Sequence, residues 1–375
     1  MRGILITRLC LLLLCALLTG AQPAQAQRIA VIGDYGYDGQ HERDVANLVL
    51  SLNPNLVITT GDNNYGSGAA STIDRNIGQY YQGFIYPYKG AYGTGSTTNR
   101  FFPSLGNHDW ATAGAAPYLD YFTLPNNERY YAVTRGAVAL YAVDSDTHEP
   151  DGTSSTSVQA NWLKAMLENS LAVWKLVYFH HPPYSSGEHG SSTRMRWPFQ
   201  AWGAAAILSG HDHDYERLSI RGLPYFVNGV GGRSLYAFKS TIVAGSQVRY
   251  NANFGAMLIE ATSTTLRFNF YNVDGTLIDS YTKVALATPT KLTAAAVTRS
   301  QINLSWTDNS NKEGEYRIYR STGKRYVQIA RVAANLTDYS DTGLAANTKY
   351  YYRVRAYSST SNSATSNAAS ATTFP

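Results

Sequence analysis

The amino-acid sequence predicts an α/β domain followed by a small all-β sandwich. Apolar strands alternate with helical stretches over residues 27–284, whereas residues 289–375 contain only short strands of alternating polarity. A short Ala/Thr/Pro stretch near residues 285–290 separates the two compositions. We therefore expect two folded units with a boundary at that stretch.

The first 26 residues have the pattern of an export signal. Arg2 and Arg8 give a basic start, residues 9–18 form an apolar run, and residues 24–26 are a small-x-small cleavage motif. The run is shorter than the roughly 20 apolar residues of a membrane span. We expect cleavage after Ala26 and a secreted or periplasmic mature protein without a membrane span.

Cysteine usage and charge exclude several functional classes. Cys10 and Cys15 both lie inside the signal, so we expect no disulfides and no thiolate metal ligands in the mature protein. Any metal would therefore use His, Asp, Asn or Tyr side chains. The chain has 31 basic and 26 acidic residues and no dense Lys/Arg cluster, which gives no indication of a nucleic-acid partner.

The first unit opens with two buried strands that each end in a turn. Residues 28–34 and 55–62 are apolar runs that finish in Gly-Asp, and an amphipathic helix is predicted between them at 41–52. A second helix is predicted at 156–170. Further strands are predicted at 101–105, 138–143, 174–179, 204–209 and 225–228. This succession indicates parallel pairing, and antiparallel hairpins over 254–284 are expected to close the sheet.

The tail has the pattern of a β-sandwich. Residues 302–306, 316–320 and 350–356 alternate with a period of two, and a length of about 85 residues is suited to seven strands. The tail resembles a fibronectin type III domain, because Trp306 stands on an early strand and residues 344–350 are similar to the tyrosine corner of that fold. We interpret these aromatic residues as core.

Five short polar motifs occur at or just after predicted strand ends. Ligands of α/β sheets gather beyond the carboxyl ends of strands, so we expect these motifs to meet in one cleft. A single Gly-Asp pair is usually only a turn, but four of the eight histidines fall in this set, which favours a functional site. The motifs are Gly33-Asp34-Tyr35-Gly36, Gly61-Asp62-Asn63-Asn64-Tyr65, Gly106-Asn107-His108-Asp109, Val177-Tyr178-Phe179-His180 and Gly210-His211-Asp212-His213.

This ordered set resembles the metallophosphatase superfamily and, more narrowly, the purple acid phosphatases. The superfamily usually opens with Asp-x-His, but Asp34-Tyr35-Gly36 lacks that histidine. The second motif instead ends in Tyr65, as in the purple enzymes that supply a tyrosine ligand. The resemblance spans about residues 28–235 and implies a layered fold, a β-sandwich of mixed sheets flanked by helices.

The resemblance implies two metal sites that share one carboxylate. By position, the first site would be formed by Asp34, Tyr65 and His213, the second by Asn107, His180 and His211, with Asp62 bridging the two. His181 is adjacent to His180 and is an alternative ligand, although the Val-x-x-His spacing favours His180.

The ligand chemistry of the two sets favours different ions. Two carboxylates, a phenolate and one imidazole (Asp34, Asp62, Tyr65 and His213) suit a small hard trivalent ion, so Fe(III) is expected there. Neutral imidazoles and an amide oxygen beside the shared carboxylate (Asp62, Asn107, His180 and His211) suit a divalent ion such as Zn(II), Mn(II) or Fe(II). In the family, tyrosinate bound to Fe(III) gives the purple colour.

The expected function is that of an acid phosphatase acting on phosphomonoesters of small molecules. Attack of a metal-bound hydroxide on phosphorus is the expected mechanism. His108 is the candidate acid or phosphate contact, because the histidine of this motif binds no metal in related phosphatases and faces the substrate. His189, in a polar loop nine residues after His180, is a second candidate; the alternative is a solvated loop residue.

Two other functions are compatible with the sequence. A phosphodiesterase or nucleotidase could use the same metals, since substrate class depends on loops such as residues 80–98 and 185–196. A surface-binding or adhesive protein would use the sandwich as its functional part. The presence of all seven ligands favours an enzyme whose tail is an accessory module, tethering it to a surface, polymer or protein.

Two neighbouring features are expected to support the site. Glu216 and Arg217 follow the last motif, and we expect them to pair with each other and orient the histidine loop. Residues 229–232, Gly-Val-Gly-Gly, follow a strand and predict a tight turn near the site, without the spacing of a nucleotide-binding loop.

Overall fold

The computed structural model describes residues 26–375, so the predicted signal segment with Cys10 and Cys15 lies outside the described residues. Within residues 26–375, no helix has both the length and the apolar character needed to cross a membrane.

The first unit contains thirteen strands in the described chain. They are β1 (Gln27–Ile32), β2 (Leu56–Thr59), β3 (Phe101–Pro103), β4 (Tyr131–Arg135), β5 (Val138–Ala142), β6 (Trp174–Tyr178), β7 (Ala206–Ser209), β8 (Tyr215–Ile220), β9 (Leu223–Asn228), β10 (Ser246–Tyr250), β11 (Gly255–Ala261), β12 (Thr265–Asn272) and β13 (Leu277–Val284).

Short helical segments connect these strands. The α-helices are α1 (Gln40–Ser51), α2 (Ala70–Ile73), α3 (Gln79–Tyr81), α4 (Asn107–Trp110), α5 (Ala116–Tyr121), α6 (Val158–Asn169) and α7 (Phe199–Trp202). A π-helical turn covers Asp74–Gly78, and 3₁₀ turns cover Gln82–Phe84, Ala113–Ala115 and Thr193–Met195.

Two mixed sheets form the body of the first unit. One has the order β13-β12-β11-β1-β2-β3 and the other β10-β8-β9-β7-β6-β5-β4. In the first sheet β1, β2 and β3 are parallel, and in the second β5, β6, β7 and β9 are parallel. The predicted fold class is confirmed, and the hairpins expected over 254–284 are β11, β12 and β13.

The main core lies where aromatic side chains of the two sheets stack. The Tyr215 and Phe270 rings lie 4.0 Å apart between centroids, and those of Phe226 and Phe268 lie 4.6 Å apart. A second apolar cluster joins α6 and α7 to the strands of the second sheet. Burial of these large side chains, each worth about 1.5–3 kcal/mol, fixes the strand ends in space.

The tail folds as an antiparallel sandwich of two sheets, as predicted. Its strands are β14 (Thr290–Thr298), β15 (Gln301–Thr307), β16 (Glu315–Ser321), β17 (Val327–Ala333), β18 (Asp338–Thr342), β19 (Lys349–Tyr357) and β20 (Ala369–Thr372). Trp306 is buried in its core. The Ala345 amide donates to the Tyr350 hydroxyl at 3.1 Å, which confirms the predicted tyrosine corner.

The sandwich docks on the carboxyl end of α6, where buried basic side chains from both units donate hydrogen bonds. The Arg355 guanidinium donates to the carbonyl oxygens of Ser170 and Leu171, and Lys175 from β6 donates to that of Leu167 at 2.9 Å. The last carbonyls of a helix lack partners within the helix and carry partial negative charge. The two side chains therefore complete the end of α6 where the two units meet.

Candidate metal centre

The fold brings the five polar motifs to one edge of the paired sheets. The parallel strands β1, β2 and β3 end at Gly33-Asp34, Gly61-Asp62 and the Gly106–Asp109 motif. The parallel strands β6 and β7 end before His180 and His211. All seven predicted ligands lie in this cluster.

Three predicted ligands of the first site are in mutual contact. The Tyr65 hydroxyl lies 3.1 Å from Asp34 Oδ1 and 3.1 Å from His213 Nε2. His213 Nε2 is itself 3.3 Å from Asp34 Oδ1. A carboxylate, a phenol and an imidazole nitrogen thus converge on one small volume.

The second set converges on the Nε2 atom of His180. Asn107 Oδ1 lies 3.0 Å from it, His211 Nδ1 lies 3.1 Å from it, and Asp62 Oδ2 lies 3.4 Å from it. Ligand atoms of Asp34, Asp62 and His180 also lie within 4.8 Å of one another. Asp62 therefore lies between the two sets, where a bridging carboxylate is expected.

Two of the histidines present Nε2 to the cluster while Nδ1 is hydrogen-bonded outside it. His180 Nδ1 lies 2.9 Å from the Thr60 carbonyl oxygen, which can only accept, so Nδ1 carries a proton and Nε2 is the ring nitrogen that faces the cluster. A metal ion at Nε2 would take the place of the proton that this nitrogen otherwise holds. His213 Nδ1 lies 2.7 Å from Ser234 Oγ, with Nε2 again inside the cluster.

The backbone is strained at three of the predicted ligands. Asp34, Asp62 and His211 have φ values of 55°, 51° and 71°, in the left-handed region. Such conformations cost about 1–3 kcal/mol each and concentrate at functional sites. A Cβ on Gly106 would lie 2.2 Å from Asp62 Oδ1, so the motif needs glycine there.

The charges of the cluster are suited to bound cations. Burial opposes ionisation of Asp62, but His180 and His108 outweigh it, and the pKa of Asp62 lies below its ordinary value. Burial lowers the pKa of His180, but Asp62 and Asp34 overcome this and raise it to about 10. Burial and Asp34 raise the pKa of Tyr65 well above its ordinary value, so a cation is required to ionise this phenol. The residues fit a dinuclear metal centre.

The two candidate catalytic histidines lie at the margin of the cluster. The His108 side chain is 36% exposed, its Nε2 is 3.9 Å from Asp62 Oδ2, and its ring centroid is 4.3 Å from that of Tyr65. The exposed His189 ring stacks on His211 at 4.4 Å between centroids. The structure therefore brings both histidines next to predicted ligands.

His181 also lies beside the second set. Its Nδ1 is 2.9 Å from Ser145 Oγ, and its ring centroid is 4.5 Å from that of His211. Nitrogens of His180, His181 and His211 lie within 4.8 Å of one another. His181 remains the alternative ligand that its sequence position indicated.

Two residues that were given no role from the sequence support the site. Buried Asp109 accepts hydrogen bonds from the amides of Asn63 and Gly106, and burial together with Asp62 raises its pKa to about 7. The position of Asp109, two residues after the predicted ligand Asn107, could have indicated this supporting role. The Tyr236 ring stacks on His213 at 4.0 Å, and the sequence gives no indication of this contact.

The expected pairing of Glu216 with Arg217 is wrong. Glu216 accepts hydrogen bonds from the Ser186 amide and hydroxyl, both at 2.7 Å, whereas Arg217 pairs with Asp279 at 2.7 Å. Consecutive residues of β8 point to opposite faces of the sheet, so they cannot meet. Glu216 still fixes the loop that carries His189.

The loops expected to form pocket walls differ in position. The 185–196 loop lies against the centre, since the His189 amide donates to Asp212 Oδ1 at 2.6 Å. The 80–98 loop is hydrogen-bonded to residues that are not predicted ligands: Tyr88 donates to Asp74, and Lys89 donates to the Asp120 carbonyl oxygen.

Comparison with known families agrees with this geometry. The calcineurin-like phosphoesterase model matches residues 27–215, and the chain belongs to this family. Within the family the chain is related to the purple acid phosphatases. The fibronectin type III model matches residues 287–372, so the tail is a fibronectin type III domain.

Similar proteins include plant and animal phosphatases. Purple acid phosphatase 3 of Arabidopsis thaliana is 26% identical over 286 residues, which are 68% of this chain and 76% of that protein. Human tartrate-resistant acid phosphatase type 5 is 24% identical over 59% of this chain and 77% of its own length. The structure of purple acid phosphatase PPD1 from yellow lupin has a TM-score of 0.56 at 20% identity, over 70% of this chain and 54% of that one.

The fold also occurs in a protein described as an anchor. GAP50, titled the anchor in the inner membrane complex of Plasmodium, has a TM-score of 0.55 at 18% identity, over 68% of this chain and 88% of that one. The fold alone therefore does not distinguish an enzyme from a binding protein.

Proposed function

We propose that the protein is a dinuclear-metal acid phosphatase that hydrolyses phosphomonoesters. The observation that carries the proposal is the convergence of two ligand sets on Asp62, with the Tyr65 hydroxyl 3.1 Å from both Asp34 and His213. Relatedness to the purple and tartrate-resistant acid phosphatases supports the same reaction class.

The donor atoms favour two different ions. Asp34, Asp62, Tyr65 and His213 would hold Fe(III), and Asp62, Asn107, His180 and His211 would hold Zn(II), Mn(II) or Fe(II). When bound, the two ions supply an activated water nucleophile and neutralise charge on the phosphoryl oxygens.

The side chains at the margin of the centre would handle the substrate and its proton. His108 lies beside Asp62 and Tyr65 with its ring partly open to solvent, where it can contact a phosphate oxygen or protonate the leaving alkoxide. His189 is exposed above His211 and can take the same role from the opposite loop. The Glu216–Ser186 hydrogen bonds would hold that loop in place.

We also propose that the enzyme is exported and acts outside the cytoplasm. The basic start, apolar run and cleavage motif of residues 1–26 support export to the periplasm or the medium. The fibronectin type III domain would then tether the enzyme to a surface, polymer or protein partner.

Metal analysis combined with a visible spectrum tests the proposal most directly. About two metals per chain including iron, a purple band, and hydrolysis of a phosphomonoester in mild acid are expected. Tyr65→Phe should remove the band and weaken the first metal, because the phenolate is both ligand and chromophore. Tyr236→Phe is the matched control, since Tyr236 stacks on His213 but is not a proposed ligand, and its band should persist.

Other outcomes distinguish the alternatives. Two metals without iron or colour, together with cleavage of a phosphodiester in preference to a monoester, would indicate a phosphodiesterase with the same ligands. A protein that takes up no metal on reconstitution would instead favour a surface-binding role.

A further inference from the structure

The glycine-rich turn after β9 is fixed against the first metal motif. The Gly231 amide donates to the Gly33 carbonyl oxygen at 2.9 Å, and the Arg233 amide donates to that of Asp34 at 3.1 Å. A Cβ on Gly231 would lie 2.3 Å from the Gly33 carbonyl oxygen, so only glycine permits this approach. The turn therefore anchors Arg233 on a predicted metal ligand.

The guanidinium of Arg233 lies over two tyrosine rings. Its Cζ atom is 4.3 Å from the ring centroid of Tyr37 and 5.4 Å from that of Tyr65. The hydroxyl of the same Tyr65 contacts Asp34 and His213. A single phenol ring thus separates the cation from the candidate first metal site.

This guanidinium has no carboxylate partner within 4.0 Å in residues 26–375. Arg129 and Arg217, by contrast, pair with Glu149 and Asp279 at 2.9 and 2.7 Å. The Tyr37 ring beneath Arg233 is 48% exposed, so the stacked pair borders solvent. The N–H groups of the Arg233 guanidinium can therefore contact an anion that enters the centre.

We propose that Arg233 is a specificity residue that favours substrates with a second anionic group next to the scissile phosphate. The proposal rests on the phosphatase function and adds to its monoester substrates a preference for phosphoanhydrides such as inorganic pyrophosphate or a nucleoside diphosphate. A guanidinium binds phosphate oxygens through two parallel hydrogen bonds, a geometry that a lysine ammonium lacks. Stacking on Tyr37 orients the guanidinium before the substrate arrives.

The reaction on such a substrate is hydrolysis of the phosphoanhydride bond. Water oxygen bonds to the terminal phosphorus, and the bond from that phosphorus to the bridging oxygen breaks. The bridging oxygen keeps the electron pair and leaves with the second phosphate, while the proton of water passes to His108, His189 or solvent. Arg233 would contact the second phosphate, whose negative charge increases in this step.

The test compares two substrates on the metal-loaded full chain. Inorganic pyrophosphate carries the second anionic group, and glycerol 2-phosphate lacks it. In Arg233→Met, kcat/KM for pyrophosphate is expected to fall about tenfold or more, with a change below about threefold for glycerol phosphate. For Arg233→Lys, kcat/KM for pyrophosphate should lie between the values of the wild type and of Arg233→Met, because lysine keeps the charge but not the paired donors.

Arg135→Met is the matched control. Arg135 is exposed on the β4–β5 hairpin and also stacks on an aromatic ring, with its Cζ 5.4 Å from the Phe102 centroid. Both substrates should be turned over by this variant as by the wild type. Metal content and the visible band of Arg233→Met should also be unchanged, which separates a substrate contact from a structural effect on Tyr65.

Other outcomes overturn the inference. Equal losses on both substrates would mean that Arg233 supports the metal centre itself, and no loss on either would mean that it contacts no substrate. A wild type that hydrolyses neither substrate would contradict the phosphatase function, and the role of Arg233 would then be decided by binding alone. Calorimetric titration with methylenediphosphonate, which is not hydrolysed, should show about tenfold weaker binding to Arg233→Met; equal affinity would contradict the inference even if the protein is inactive.

Discussion

The candidate metal centre and the interface between the two domains both bury ionisable side chains, acidic at the centre and basic at the interface. At the centre, Asp34 and Asp62 are at most 2% exposed. At the interface, Lys175, Arg317 and Arg355 are at most 1% exposed. Isolated buried charges are costly, so each region needs compensating partners.

The nature of those partners distinguishes a structural site from a ligand site. Lys175 and Arg355 donate to carbonyl oxygens at the end of α6, which are permanent parts of the fold. Asp62 and His180 instead face other ligand atoms at 3.0–3.4 Å, a spacing that leaves them ready to surround a cation. For these residues, bonds to backbone carbonyls indicate a structural role, whereas the convergence of several side-chain ligand atoms indicates a candidate metal site.

Replacing the shared carboxylate should have the largest effect. Asp62→Asn is expected to lower phosphatase turnover by at least about a thousandfold, because the amide cannot bridge two cations. Metal content per chain should fall with it, while the far-ultraviolet circular dichroism stays that of the wild type. Activity within tenfold of the wild type would contradict the bridging assignment.

His108 borders the candidate centre without belonging to either proposed ligand set. His108→Ala should lower kcat about a hundredfold with both metals retained, because the lost group acts on the substrate. His148→Ala is the control, since His148 pairs with Asp146 and its side chain is 70% exposed. Loss of metal from the His108 variant would show that this residue belongs to the ligand set.

A substitution at the interface between the two domains is expected to change stability and not turnover. Arg355→Met should lower the free energy of unfolding by about 2 kcal/mol, because the Ser170 and Leu171 carbonyls lose their donors. Turnover per folded molecule should be unchanged. Lys349→Met, an exposed change on the same strand β19, should alter stability by less than about 0.5 kcal/mol. Urea denaturation measures both, and equal stabilities would remove the structural role of Arg355.

The smallest effect concerns pH. Burial, with Arg355 and Arg317 nearby, holds the pKa of the Lys175 amine well below its ordinary value. Up to the ordinary value of about 10.4 the unfolded chain then binds more protons than the folded one, so stability rises with pH. Between pH 7 and 9 the free energy of unfolding of the wild type should increase relative to Lys175→Met. A constant or falling difference would place a charged, paired amine at position 175.

Much of the candidate centre was predictable because its proposed ligands follow strand ends, and strand ends follow from apolar runs. Asp34, Asp62 and His180 each come directly after such a run, and parallel pairing carries them to one edge. The predicted strands and the helices 41–52 and 156–170 recur with small shifts at their ends, for instance as α1 and α6.

What the sequence did not indicate depends on contacts between distant segments. Arg355 reaches the Ser170 carbonyl across 185 residues, and no local pattern encodes that distance. Glu216 was expected to pair with Arg217 because the two are adjacent and carry opposite charges. Side chains of consecutive residues on β8 point to opposite faces, and Arg217 pairs with Asp279 instead. Local periodicity thus predicts elements and strand-end sites, but not which side chains pair between elements.

The docking of Arg355 on α6 also limits how freely the C-terminal domain can be exchanged. A different sandwich joined at the same point would leave the Ser170 and Leu171 carbonyls without their donors. Lys175 belongs to β6, the strand that leads to His180, so both regions share one short stretch of backbone. The two domains should therefore be inherited together, and a chimera would need a matching arginine to fold as well as the parent.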